Sequence, residues 1–77
     1  MAVNVKIYPN PSQSLIYIEA SEKVNARLLD MNGSVLQDVQ NAAGINMSAY
    51  ANGIYLVEIY NEQGDKIKAE RIVKSGQ

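Results

Sequence analysis

The sequence predicts an all-β domain, an antiparallel sandwich of about seven short strands. Three observations predict it. The longest apolar run, Asn52-Gly53-Ile54-Tyr55-Leu56-Val57-Glu58-Ile59-Tyr60, is built from residues that favour strands. Turn signals recur between short alternating stretches along the whole chain, and no stretch has a long helical period. The chain has 77 residues, enough for one small domain.

The organising run divides by alternation into two faces. Tyr55, Val57 and Ile59 are assigned to the core, because Glu58 on the other face would be costly to bury without a partner. Ile54, Leu56 and Tyr60 share that second face, which is apolar enough to be partly covered. Asn52-Gly53 supplies the turn before it.

Val3 to Ile7 alternates apolar and polar and reads as the first strand. Tyr8-Pro9-Asn10-Pro11 ends it, with extended backbone around two prolines that cannot donate to a ladder. Ser12 to Ser14 continues the loop. Leu15 to Ala20 is the second strand, with Ile16, Ile18 and Ala20 inward. Ser21 to Lys23 is a polar turn. The third strand, Val24 to Met31, turns Val24, Ala26 and Leu28 to one face. Asn32-Gly33 predicts a type I′ hairpin turn into a fourth strand, Ser34 to Val39. After a loop, Ile45 to Met47 is a minimal fifth strand, and Ser48 to Ala51 reads as one helical turn capped by Ser48. The long run is the sixth strand. A five-residue loop, Asn61 to Asp65, leads to the seventh, Lys66 to Val73. There Ile67 and Ala69 are expected inside, together with Ile72 or Val73, and the broken alternation predicts a bulge between Ala69 and Ile72. Lys74 to Gln77 is expected to fray.

Composition excludes several functions. With no His and no Cys there is no disulfide, no His-based triad, no Cys nucleophile and none of the usual zinc ligands. No cofactor motif and no calcium-loop pattern occurs, so no catalytic residue, metal or cofactor is assigned. The eight acids are scattered and read as solvated surface. A net charge of −1 argues against a nucleic-acid partner. No apolar run approaches the roughly 20 residues of a membrane helix, so no membrane insertion is expected. Met1-Ala2 reads as an added start, so the single domain, residues 1–77, is expected to come from a longer protein. An exposed edge at Val3 to Ile7 would allow copies to pair with each other.

Two residues have structural roles that need no ligand. The Asp30 carboxylate is expected to accept backbone N–H groups in the hairpin turn. Tyr55, near the start of its strand, is expected to close a tyrosine corner.

Four stretches together resemble a known family: Val5-Lys6-Ile7-Tyr8-Pro9-Asn10-Pro11, Leu28-Leu29-Asp30-Met31-Asn32-Gly33-Ser34-Val35-Leu36, Ile45 to Ile59, and Arg71-Ile72-Val73-Lys74. In this order and spacing the chain resembles the type A C-terminal sorting domain of the type IX secretion system. The resemblance implies an immunoglobulin-like sandwich without chemistry of its own. It implies a signal that takes an attached cargo protein from the periplasm across the outer membrane of Bacteroidetes-type bacteria. There a surface sortase removes the signal, and the cargo is joined to an anionic lipopolysaccharide or released. The implied partners are the translocon, the sortase and the cargo. The residues carried over are Gly33, Gly53, Tyr55 and Lys74, with Arg71, Ile72, Val73 and Lys74 as the translocon-recognition segment. Pro9, Asn10, Pro11, Asp30, Gly33 and Gly53 are motif residues that turn chemistry alone would also select. The chain departs from the family at Tyr50, usually a smaller aliphatic residue, at Ala51, often Pro, and in running on through Ser75-Gly76-Gln77. Two other readings compete. One is an immunoglobulin- or fibronectin-like accessory module that spaces a parent enzyme or binds carbohydrate through Tyr17 and Tyr60. The other is a small hydrolase, against which the missing His and Cys argue.

Overall fold

The computed structural model describes residues 3–76. The reading of Met1-Ala2 therefore lies outside the described residues. Seven strands form two antiparallel sheets: β1 (Val5–Tyr8), β2 (Leu15–Ala20), β3 (Asn25–Leu29), β4 (Val35–Val39), β5 (Gly44–Asn46), β6 (Gly53–Tyr60) and β7 (Lys66–Lys74). The first sheet has the order β1-β2-β5, and the second β4-β3-β6-β7. The architecture is the expected immunoglobulin-like sandwich.

Alternation in the strands builds the core. Ile7, Ile16, Ile18 and Ile45 point inward from the first sheet, and Ala26, Leu28, Tyr55, Val57, Ile59 and Ile72 from the second. Val24 and Met47 close the core beside them. The assignment of the organising strand holds: Tyr55, Val57 and Ile59 are buried, and Ile54 is exposed on the opposite face.

The hairpin at Asn32-Gly33 has a different turn from the one predicted. Only Gly33 has a positive φ, +91°, whereas type I′ would need two such residues. The Gly33 N–H donates to the Asp30 carbonyl, and the Asp30 N–H to the Ser34 carbonyl. This is a type I turn closed by a left-handed glycine. The Asp30 carboxylate selects it, since Oδ1 accepts the N–H groups of Asn32 and Ser34 at 2.9 Å each. The loop Asn61–Asp65 repeats the design. Asn61 accepts the Asp65 N–H through its side chain, and Gly64 takes the glycine position with φ +90°.

Two further expectations, the helical turn after β5 and the inward residues of β7, are corrected, and one feature is new. Ser48–Ala51 is a hydrogen-bonded turn rather than a helical one, and the side chain that caps it is Asn46, which accepts the Ser48 N–H. Both X–Pro bonds of the Tyr8-Pro9-Asn10-Pro11 loop are cis. In β7, Ile67 and Ala69 are exposed and only Ile72 enters the core. The irregularity sits where Lys66 and Lys68 pair with Tyr60 and Ile59, leaving Ile67 as the extra residue. From Lys68 onward the alternation is regular, with Lys68 and Glu70 half-buried on the core side and 3.7 Å apart as an ion pair, Glu70 lying beside the β1 edge of the smaller sheet.

Candidate functional site

The first and last motifs of the chain meet along the outer edge of β7. Asn10 does the joining. Its Nδ2 donates to the Arg71 carbonyl, and its Oδ1 accepts the Val73 N–H, both at 3.0 Å. One amide side chain thus supplies the donor and acceptor that a neighbouring strand would supply. Ser12 extends the pairing through its backbone: its N–H donates to the Val73 carbonyl, and its carbonyl accepts the Ser75 N–H. Ser12 is fully buried, and its hydroxyl donates to the Leu15 carbonyl. Pro9 and Pro11 bracket Asn10 and hold no donor of their own. Asn52 donates to the Gly76 carbonyl at 2.8 Å. Ser75 and Gly76 are therefore tied down rather than frayed, and the expectation for Gln77 lies outside the described residues.

On its other edge β7 pairs with β6, placing Lys74 against Gly53, Val73 against Ile54, Ile72 against Tyr55 and Arg71 against Leu56. Pro9, Asn10, Pro11, Gly53, Tyr55 and the segment Arg71–Lys74 are thus brought to one end of the second sheet. Asp30 and Gly33 lie in the β3–β4 turn at the same end, since Leu29 pairs with Leu56. Within the segment, Arg71 and Val73 are exposed, Lys74 is half-buried, and Ile72 is wholly inside. Ile72 is a packing residue, and a partner of the folded domain can reach only the other three.

Tyr55 makes the corner. Its hydroxyl donates to the carbonyl of Ala51, four residues upstream. Its ring lies 6.0 Å from that of Tyr50, whose hydroxyl accepts a hydrogen bond from Gln37. A large aromatic at position 50 is accommodated by these two contacts.

Sequence reasoning missed Ser12 and Asn52. Both are ordinary loop residues, and nothing local marks a partner some 60 or 24 residues away. An Asn10→Ala chain should lose the two bonds to β7, a cost of about 1–3 kcal/mol at ~0.5–1.5 kcal/mol each. Hydrogen exchange at the Val73 amide should accelerate, while that at Val57 follows only global stability.

The other end of the second sheet carries a charged network. Glu58 accepts the Tyr60 hydroxyl at 2.6 Å and the Lys66 ammonium at 3.2 Å. The Arg27 guanidinium lies 5.3 Å from the Tyr60 ring centre and 3.4 Å from Asp38. The Tyr60 hydrogen bond, with help from Lys66 and Arg27, holds the Glu58 carboxyl below its ordinary pKa although burial opposes it. The same hydrogen bond pushes Tyr60 above its own. A lowered carboxyl stabilises the fold above its unfolded pKa and loses that contribution as pH falls through the folded value. A raised phenol contributes below its unfolded pKa and loses the contribution in base. The network should therefore support stability from about pH 5 to about pH 9. Glu58→Gln should be less stable than the parent at neutral pH, with the gap closing below about pH 4 in urea titrations. A gap that does not change with pH would refute this role for the carboxylate.

Tyr17 and Tyr60 do not form one surface. Tyr17 stacks on Tyr8, centroids 5.6 Å apart, on the outer face of the first sheet, and Tyr60 is engaged on the second. Among the described residues no group of three His, Cys, Asp or Glu is placed to hold a metal ion. No helix is long and apolar enough to cross a membrane.

Comparison with known proteins places this arrangement. Residues 6–75 match the family described as the secretion system C-terminal sorting domain. A curated relative, β-agarase D of Zobellia galactanivorans, is 30% identical over 71 residues. The match covers 90% of this chain and 15% of that protein, so the chain spans a small part of the relative's length. Because the match takes in both the Pro-Asn-Pro loop and the β7 segment joined to it, the chain belongs to the family of C-terminal sorting domains of the type IX secretion system.

Proposed function

We propose that this domain is the non-catalytic signal of a larger precursor and directs the attached cargo across the outer membrane for surface attachment or release. The family match over residues 6–75 carries this reading. The relative adds support, since a domain matching so small a share of an agarase fits a module attached to something larger. The translocon is proposed to read the exposed side chains of the closing segment, Arg71, Val73 and Lys74, and a surface sortase to act afterwards on the junction with the cargo. The accessory-module alternative has its best support in the exposed Tyr8–Tyr17 pair.

The test fuses a periplasm-directed fluorescent protein to residues 3–77 in a bacterium with a type IX system and in a sister strain lacking the translocon. The expected result is reporter outside the cell in the first strain and periplasmic reporter in the second. Folded fusion held in the periplasm of both strains would reject the sorting role and leave the accessory module in front.

A further inference from the structure

The outer face of the second sheet is divided in two. At the β6 C-terminal end the charges satisfy one another: Asp38 with Arg27, and Glu58 with Tyr60 and Lys66. At the other end the register places apolar side chains in adjoining rows. Val35 pairs with Leu29, Leu29 with Leu56, and Leu56 with Arg71, while Ile54 pairs with Val73 in the next row. Directly paired residues share a face, so these six form one surface across β4, β3, β6 and β7. Val35, Ile54 and Val73 are 51%, 45% and 36% exposed, and Leu29 and Leu56 are half-buried between them. Arg71 is its one charge and makes no ion pair among the described residues.

Resting on the sorting role above, we infer that this face is the docking surface of the domain. Its partner is a protein surface of the export machinery that is apolar at its centre and carries a carboxylate opposite Arg71. Two features select that partner. An apolar patch with a lone guanidinium on its rim is complementary to an apolar surface bearing one acid. The partner also cannot add as a strand beside Arg71–Lys74, because Asn10 and Ser12 already occupy that edge. Recognition therefore goes through side chains on the face, and the patch extends the readable region from the closing segment to β4.

The test uses the reporter fusion with Ile54→Lys, Ile54→Thr, Arg71→Glu and Arg71→Lys, with Tyr17→Lys on the opposite sheet as control. Circular dichroism melts of each purified domain establish folding. The expected result is a fall in exported reporter of roughly tenfold for Ile54→Lys and Arg71→Glu. Ile54→Thr and Arg71→Lys should fall less, and Tyr17→Lys should keep export, with all five folded. Wild-type export with Ile54→Lys and Arg71→Glu unchanged overturns the docking surface and leaves the sorting role standing. Equal loss in Tyr17→Lys also overturns it. A wild-type dimer in sedimentation, dispersed by Ile54→Lys without loss of export, would assign the face to a second copy and overturn it too. Wild type trapped in the periplasm overturns the sorting role itself, and this proposal with it.

Discussion

A chain ending at Glu70 should fail to fold. The loss would remove Ile72, which is fully buried between the sheets, and burial of such a side chain is worth about 2–5 kcal/mol once the cavity is included. It would also remove the pairing of β6 with Arg71–Lys74 and both hydrogen bonds from Asn10. A domain below ~80 residues without disulfide or metal holds only about 3–5 kcal/mol in total. The truncated domain should therefore give the circular dichroism of an unfolded chain at 25 °C and lose its cooperative urea transition. A cooperative transition retained with a midpoint close to the parent's would contradict this account of β7. A closing segment that served recognition alone would behave in the opposite way, its removal silencing the signal and sparing the fold. With Ile72 in the core, the truncation cannot separate recognition from stability. Single changes at Arg71 can, because its side chain points away from the core.

The strands themselves were legible because the sandwich buries one face of nearly every one of them. Leu15–Ala20 and Gly53–Tyr60 alternate as an isolated half-buried strand should, and their inward residues are those that alternation selects. The rule failed in β7 for a geometric reason. That strand is the outer edge of its sheet, so Lys68 and Glu70 take core-side positions at the rim of the sandwich, half-buried and paired with each other, Glu70 beside β1. Its apolar Ile67 and Ala69 then lie exposed, and apolar content misled the assignment of sides. The Asp30 carboxylate accepts backbone N–H groups in the hairpin turn as expected, but the Asn-Gly dipeptide alone points to the wrong turn type, because that carboxylate fixes a turn one residue longer. Of the site, the closing and opening motifs were visible as resemblances, but their union was not. Asn10 and Val73 are 63 residues apart, and an amide that completes a strand edge has no local signature. The tail expected to fray is held by Ser12 and Asn52 for the same reason.

Tyr55→Ala should cost about 3–5 kcal/mol, the range for deleting a buried aromatic ring, and leave the domain largely unfolded at 25 °C. Tyr55→Phe should cost about 1 kcal/mol, since it leaves the ring in place and removes only the hydroxyl that donates to Ala51. The two variants separate the contributions of the residue in urea titrations: packing against Tyr50 and Ile72 on one side, the corner bond on the other. Equal losses in both would mean that the hydroxyl dominates. The corner has a functional consequence as well. It fixes how the chain enters β6, and β6 sets the register of Lys74 against Gly53 and of Arg71 against Leu56. In Tyr55→Phe the fold persists while that entry is less constrained, so hydrogen exchange should rise at Ile72 and Lys74, whose amides face β6, before it rises at Val57. The export of a fused reporter should then fall by more than the small loss of stability accounts for, if the closing segment is read in the register that the corner holds. Export that tracks stability alone across both variants would confine Tyr55 to the core.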